Sequence, residues 1–204
     1  MKIPSKYMED AVEQLSSLPG IGKRTALRLV IQLLNRKPEE IERFATSFTA
    51  MKENVKHCQS CNNISDLDIC DICSNPNRSQ EIICVVEDVR DVMAIEETSS
   101  FKGIYHVLGG VISPMDGIGP NDLHIQSLVE KAQSDQITEV IFALSPTMEG
   151  DTTNFYLYKK LKGFELIITT LSRGVSVGSE WHYADGLTLS RSIVNRLPFN
   201  VEGF

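Results

Sequence analysis

Four of the chain's five cysteines fall within HCQSCNNISDLDICDIC, residues 57–73: Cys58, Cys61, Cys70 and Cys73. Each C-x2-C pair forms a tight knuckle that turns two sulfurs toward one ion. Two such pairs supply the four ligands of a closed tetrahedral zinc site. The interior, NNISDLDI, is polar and cannot bury much by itself, so metal binding would supply the folding free energy of this short segment. The same ligands could hold an iron–sulfur cluster, whereas a disulfide pair is disfavoured in a reducing compartment. His57 abuts Cys58, but four sulfurs already complete the set. A four-sulfur site has no open coordination position, so the expectation is one structural Zn2+ per chain, with any chemistry elsewhere. Cys84, inside the apolar run IICVV, reads as a buried core thiol.

A second group of residues suits phosphate. In LSSLPGIGKRTALRLV, the segment GIGKRT superficially matches a phosphate-binding P-loop. That motif requires Gly at 17 and Ser or Thr at 24, where this chain has Ser17 and Arg24. What remains is helix, Pro-Gly-Ile-Gly turn, helix. Gly20 and Gly22 let backbone approach a ligand, and the start of the second helix offers free N–H groups and a positive dipole end. Lys23 and Arg24 sit there, with Arg28 one turn on. Together they suit a DNA backbone, read without sequence preference. The alternative is a plain helical hairpin with solvated bases.

A third group is acidic. Glu87 and Asp88 follow the run IICVV, and Glu149 and Asp151 lie in MEGD after EVIFAL. In open parallel sheets, ligands bind beyond the carboxyl ends of strands where the strand order reverses. With the order 2-1-3-4, that place lies between the first and third strands, and convergent carboxylates there could hold Mg2+. The same acids would also suit helix N-termini, where negative charge is welcome.

The elements that must position these groups follow from periodicity. Helical spacing of apolar residues predicts a helix over Met8–Leu18, a second from Lys23 to Leu34, and a third from Pro38 to Val55. Beyond the cysteines, strands 82–86, 104–109, 139–144 and 164–170 alternate with helices 88–97, from Asn121 to about Gln133, and TTNFYLYKKLK. SPTMEGD reads as a loop, and LTLSRSIVNRL as a last helix after the long loop LSRGVSVGSEWHYADG. Such alternation implies right-handed crossovers and a parallel sheet covered by helices. The expected organisation of this α/β chain is a helical hairpin domain over 1–56, a four-cysteine zinc module over 57–76, the sheet domain over 80–171 and a C-terminal loop and helix over 172–204. Hydrophobic residues at 42% and charged residues at 23% of 204 fit a globular chain. No apolar run approaches the ~18 residues of a membrane span, and the N-terminus lacks a signal-peptide core, so a cytoplasmic location is expected. The net charge of −7 argues against nucleic acid only as an average, because DNA responds to local patches.

These parts carry a resemblance. LPGIGKRTALRL resembles a helix-hairpin-helix element. Glu87 with the E-G-D of residues 149–151 looks like the Glu and DxD pattern of a toprim domain, with Glu in place of the first Asp. The order of parts, with VVEDVRDVMAIEET, GGVISPMDGIGP, PTMEGDT and TTLSRGVSVGSEWHYADGLTLSRS, resembles the RecR family of bacterial recombination mediators over nearly the full chain. That resemblance implies a non-catalytic DNA clamp, a ring-like homotetramer able to encircle single- or double-stranded DNA, acting in the nucleoid. It implies partnership with RecO and RecF in loading RecA onto single-stranded DNA. It also implies that Glu87, Asp88, Glu149 and Asp151 serve Mg2+ or a partner surface, and that the C-terminal stretch is Walker-B-like, although the chain has no Walker A motif. The competing expectation is a toprim-type, Mg2+-dependent nuclease or primase-like enzyme. A blander one is a zinc-stapled module that never touches DNA.

Overall fold

The computed structural model describes residues 3–134, 136–176 and 178–196. The chain divides into two compact units, Met1–Val55 and Lys56–Phe204.

The first unit is helical. α1 (Lys6–Ser16) and α2 (Lys23–Leu34) pack against each other through Val12, Ala26 and Val30, with Met8, Leu15, Ile21 and Leu27 around them. These are the positions that the 3.6-residue period places on one face. The two helices are joined by a turn in which Gly20 has φ +81°, and Ile21 N–H donates to the Leu18 carbonyl at 3.1 Å. α3 (Pro38–Asn54) opens with Pro at its first position and with Glu40 accepting from Lys37 N–H at 3.2 Å. None of its residues is buried, although the sequence pattern is amphipathic.

The second unit begins with β1 (Lys56–His57), paired antiparallel to β2 (Ile64–Ser65), and the short helix α4 (Asp71–Ser74). The main sheet follows: β3 (Ile82–Val86), α5 (Val89–Glu97), β4 (Ile104–Val107), α6 (Ile125–Ala132), β5 (Glu139–Phe142), α7 (Met148–Leu161) and β6 (Ile167–Thr170). All pairings are parallel, in the order β4-β3-β5-β6, which is the 2-1-3-4 order that a carboxylate site between the first and third strands requires. Alternation along the strands builds two cores. Ile83, Val85, Ile104, Val140 and Phe142 pack with Leu128 of α6 and with Leu157 and Leu161 of α7. Cys84, Val86, Tyr105 and Val107 pack with Val92 of α5. Helices on both faces explain why the strands read as unbroken apolar runs. Cys84 is 2% exposed, and burial pushes its thiol up to about 12, as expected of a core cysteine.

Several expected boundaries move: α1 runs Lys6–Ser16 rather than Met8–Leu18, and the strands expected over 104–109 and 139–144 end at Val107 and Phe142. The helix expected from Asn121 starts at Ile125; Asn121 lies in a 3-10 turn, Pro120–Asp122, closed by Asp122 accepting from Gly119 N–H at 2.8 Å. α7 begins at Met148 rather than Thr152. Thr147 caps it, accepting from Gly150 N–H at 3.1 Å, so Glu149 and Asp151 stand in a first helical turn, not a loop. Gly150 makes this possible: a Cβ there would collide with the Ser145 carbonyl oxygen. Residues 164–166 precede β6, with Phe164 and Leu166 packed against the core. The last helix, α8, spans Gly186–Val194, capped by Asp185 accepting from Thr188 N–H. Leu197, expected to end it, lies outside the described residues.

Candidate metal centre and nucleic-acid interface

The cysteine segment folds as two knuckles facing one point. After β1, Cys58 N–H donates to the Asn63 carbonyl at 2.7 Å and Asn62 N–H to the Cys58 carbonyl at 2.9 Å, with Asn62 at φ 61° in the tight turn. The second knuckle runs into α4, where Ser74 N–H donates to the Cys70 carbonyl at 3.0 Å. The four sulfurs lie within 4.8 Å of one another, the one such grouping of ligand-type side chains among the described residues. Cys58, Cys61 and Cys70 are closed to solvent, and Cys73 is half-buried. His57 is exposed and its Nδ1 faces the Asn62 carbonyl at 3.2 Å, so it is no part of the grouping.

The donor set fits a thiophilic divalent ion. The Cys61 and Cys70 sulfurs approach to 3.5 Å. The Cys73 thiol falls to about 5, chiefly through hydrogen bonding with Cys61, whose own thiol is driven up by the same pairing. Burial raises the Cys70 thiol. Burial also opposes ionisation of Cys58, but the backbone N–H groups of Cys70, Cys61 and Ser60 outweigh it and hold that thiol down. Two of the thiols are thus lowered and two raised, and a bound cation would draw all four to thiolates. Cys70 N–H already donates to the Cys58 sulfur at 3.3 Å. The module is tied to the sheet by Val107 N–H of β4, which donates to the Cys61 carbonyl at 2.8 Å, and by Ile72, which packs against both groups of residues.

The hairpin presents its bases as expected. Lys23, Arg24 and Arg28 are exposed, and none makes an ion pair among the described residues. Gly22 precedes α2 without a side-chain cap, so the first N–H groups of that helix stay free. Nothing lies within 4 Å of a Cβ placed at Gly20 or Gly22, so the turn is open to an incoming backbone. The acidic average of the chain does not extend to this unit, where bases outnumber acids.

The carboxylates are placed at the strand ends but are not gathered. Glu87 follows β3 and accepts from Ser145 Oγ, beyond the end of β5, at 3.0 Å, which puts it at the reversal of strand order. Asp88 caps α5, accepting from Arg90 N–H at 2.7 Å, and pairs with the Arg90 guanidinium, which holds its carboxyl below the usual range. Asp151 is engaged by Arg173 at 2.6 Å and Arg191 at 3.6 Å, and the Arg173 guanidinium holds its carboxyl low. Glu149 sits in the first turn of α7. Neither arginine was singled out from the sequence. They come from the C-terminal loop and α8, and no local pattern announces a partner so distant along the chain.

Comparison with known proteins agrees part by part. A family model for the RecR helix-hairpin-helix matches residues 8–52, one for the RecR four-cysteine zinc finger matches 55–75, and one for the toprim domain matches 81–172. The recombination protein RecR of Flavobacterium psychrophilum is 58% identical over 98% of this chain and 97% of its own length. The chain belongs to the RecR family. RecR of Parabacteroides distasonis is 52% identical, covering 98% and 96%, and RecR of Amoebophilus asiaticus is 54% identical, covering 98% and 100%. The RecR zinc-finger match falls on the four cysteines, so the family and the sulfur geometry point to the same metal. No helix among the described residues is long and apolar enough to cross a membrane.

Proposed function

We propose that this RecR-family chain is a non-catalytic DNA-binding mediator of recombinational repair, working in the cytoplasm at the nucleoid. The observation that carries the reading is the open Gly20–Gly22 turn, flanked by the unpaired Lys23, Arg24 and Arg28 at an uncapped helix start. Backbone N–H groups and three exposed cations can engage successive phosphates without consulting the bases. The four segments 1–56, 57–76, 80–171 and 172–204 then divide the work: DNA contact, metal-held structure, partner docking, and closure of the docking surface.

The resemblance supplies the finer terms: RecO and RecF as partners, RecA loading on single-stranded DNA as the outcome, and a ring-like homotetramer as the active form. The exposed Phe44, Phe48 and Met51 of α3 support self-association, since a helix with an apolar face and no buried residue gains by covering it. Zn2+ would be held by Cys58, Cys61, Cys70 and Cys73, supplying structure and no open position for chemistry. For the acids we favour a basic partner surface, such as one on RecO, over Mg2+. A metal at Glu87, Asp88, Glu149 and Asp151 would have to displace Arg173 and Arg191 from Asp151, and these carboxylates do not converge as the cysteines do.

Wild type, Lys23→Glu/Arg24→Glu and Glu87→Gln would be assayed in parallel for binding to labelled single- and double-stranded DNA, Mg2+-dependent cleavage, and RecO capture. The double charge reversal should lose affinity for all sequences and lower the salt slope by roughly 2, about one per phosphate contact. Glu87→Gln should bind DNA normally and lose RecO. Wild-type cleavage that disappears in Glu87→Gln would replace the mediator with a toprim nuclease. Unchanged DNA affinity in the double variant would move the DNA surface away from the hairpin.

A further inference from the structure

Between Cys58 and Cys73 the metal module has no lysine or arginine, yet a cation reaches it from the sheet domain. Lys131 lies in the last turn of α6, far from the cysteines in sequence. Its Nζ is closed to solvent and has no hydrogen-bond partner among the described residues. A lysine at a helix end could carry its ammonium to water on a four-carbon stem, so one kept inside needs a compensating charge. Burial is the stronger influence and works against its charged form, while Cys73, Cys61, Cys58 and Cys70, all close enough to act on it, favour that form. Another polar group close enough to feel Lys131 is His106 of β4. Its Nε2–H donates to the His124 carbonyl at 2.7 Å, its Nδ1 is likewise buried and unpartnered, and it supplies no negative charge. Burial holds that imidazole neutral, at about 4.

Four thiolates around a divalent ion carry two net negative charges. Three of the four cysteines are at most 4% exposed, so water can offset little of that charge. Backbone N–H groups, among them those of Cys70, Cys61 and Ser60 at the Cys58 sulfur, offset a part of it. We propose that Lys131 is the counter-ion of the tetrathiolate centre, a positioning residue through which the toprim sheet sets how tightly the zinc module holds its metal. This rests on the reading of the four cysteines as a zinc site. It implies that metal retention is a property of the docked module, not of the cysteine segment alone.

The test uses full-length zinc-loaded wild type, Lys131→Met, Lys131→Gln and Lys131→Arg. Zinc transfer to a chromophoric chelator gives the rate of loss, and Co2+ titration, followed by its sulfur charge-transfer band, gives affinity and geometry. Removing a group that supports a metal's ligands commonly costs roughly 10- to 100-fold in affinity. Lys131→Met and Lys131→Gln should therefore lose zinc about 10-fold faster or more, with the tetrahedral Co2+ spectrum kept, and Lys131→Arg should restore retention. In metal-free protein, Lys131→Met should cost less stability than in the zinc-loaded form, because fewer thiolates then face the ammonium. Equal zinc-loss rates in wild type, Lys131→Met and Lys131→Gln would overturn the proposal. So would equal destabilisation of the metal-free and metal-loaded forms, which would make Lys131 a packing residue. Wild type that binds neither Zn2+ nor Co2+ would instead remove the metal reading beneath it.

Discussion

Replacing Arg78 with methionine would isolate one joint of the second unit. The Arg78 guanidinium pairs with the Glu96 carboxylate through both nitrogens and also donates to the carbonyls of Phe101 and Gly103, each at 3.2 Å. Tyr105 OH donates to the same carboxylate at 2.7 Å. The loop after the metal module is thereby fastened to α5 and β4. Side-chain exposure is 14% for Arg78 and 28% for Glu96, so water can replace only part of what is lost. Breaking a buried pair by removing one partner costs about 3–5 kcal/mol, and the residual exposure places this pair at the lower end, about 3 kcal/mol. For a chain of 204 residues that is a fall in Tm of roughly 6–12 °C. Urea and thermal unfolding of the zinc-loaded protein would measure it. The pH dependence has a definite sign. Arg78 depresses the Glu96 carboxyl in the folded state, so its contribution is complete above the ordinary carboxylate range and is lost as pH falls through it. The gap between wild type and Arg78→Met should therefore narrow on going from about pH 7 to below about 4. Adding Glu96→Gln to Arg78→Met should recover part of the loss, since no unpaired carboxylate remains. An Arg78→Met variant within about 1 kcal/mol of wild type, or a gap that widens on acidification, would refute the reasoning.

Three further outcomes are expected. Cys73→Ser should release about one zinc per chain and loosen the module, as read by elemental analysis and unfolding; native protein without zinc would contradict this. Gly150→Ala should cost roughly 2 kcal/mol or more in urea unfolding because its Cβ meets the Ser145 carbonyl, while Gly163→Ala, with nothing within 4 Å, should stay within about 0.5 kcal/mol. Asp151→Asn should change stability by less than about 1 kcal/mol, its ion pairs being partly exposed, yet should speed proteolysis within residues 172–185 as Arg173 and Arg191 lose their anchor; equal cleavage rates would argue against that anchoring.

Much of this was legible in local pattern. The C-x2-C spacing predicted four converging sulfurs, and periodicity gave α2 its observed bounds. Alternating strands and helices led to a parallel sheet, while its order, 2-1-3-4, was assumed as a condition and not read from the pattern. The misplaced features depend on contacts that local spacing does not encode. Gly150 disguised the first turn of α7, because a glycine inside a helix reads as a loop until its neighbour, the Ser145 carbonyl, is known. Asn121 looked like a cap, but Asp122 closes a 3-10 turn there, and α6 waits for Ile125. The pairing of Asp151 with Arg173 and Arg191 joins groups more than twenty residues apart. Lys131 resembles any solvated helix lysine until the sulfurs beside it are seen.

The bond from Val107 N–H to the Cys61 carbonyl has a consequence for solubility. β4 is an outermost strand of its sheet, and such a strand offers unpaired backbone groups to any other chain that meets it. The cysteine module sits against this margin as a plug whose own shape is held by metal. Stripping the metal therefore does more than unfold a small appendage: it bares a template for intermolecular pairing, and chelated protein should precipitate as cross-chain sheet before its main core melts.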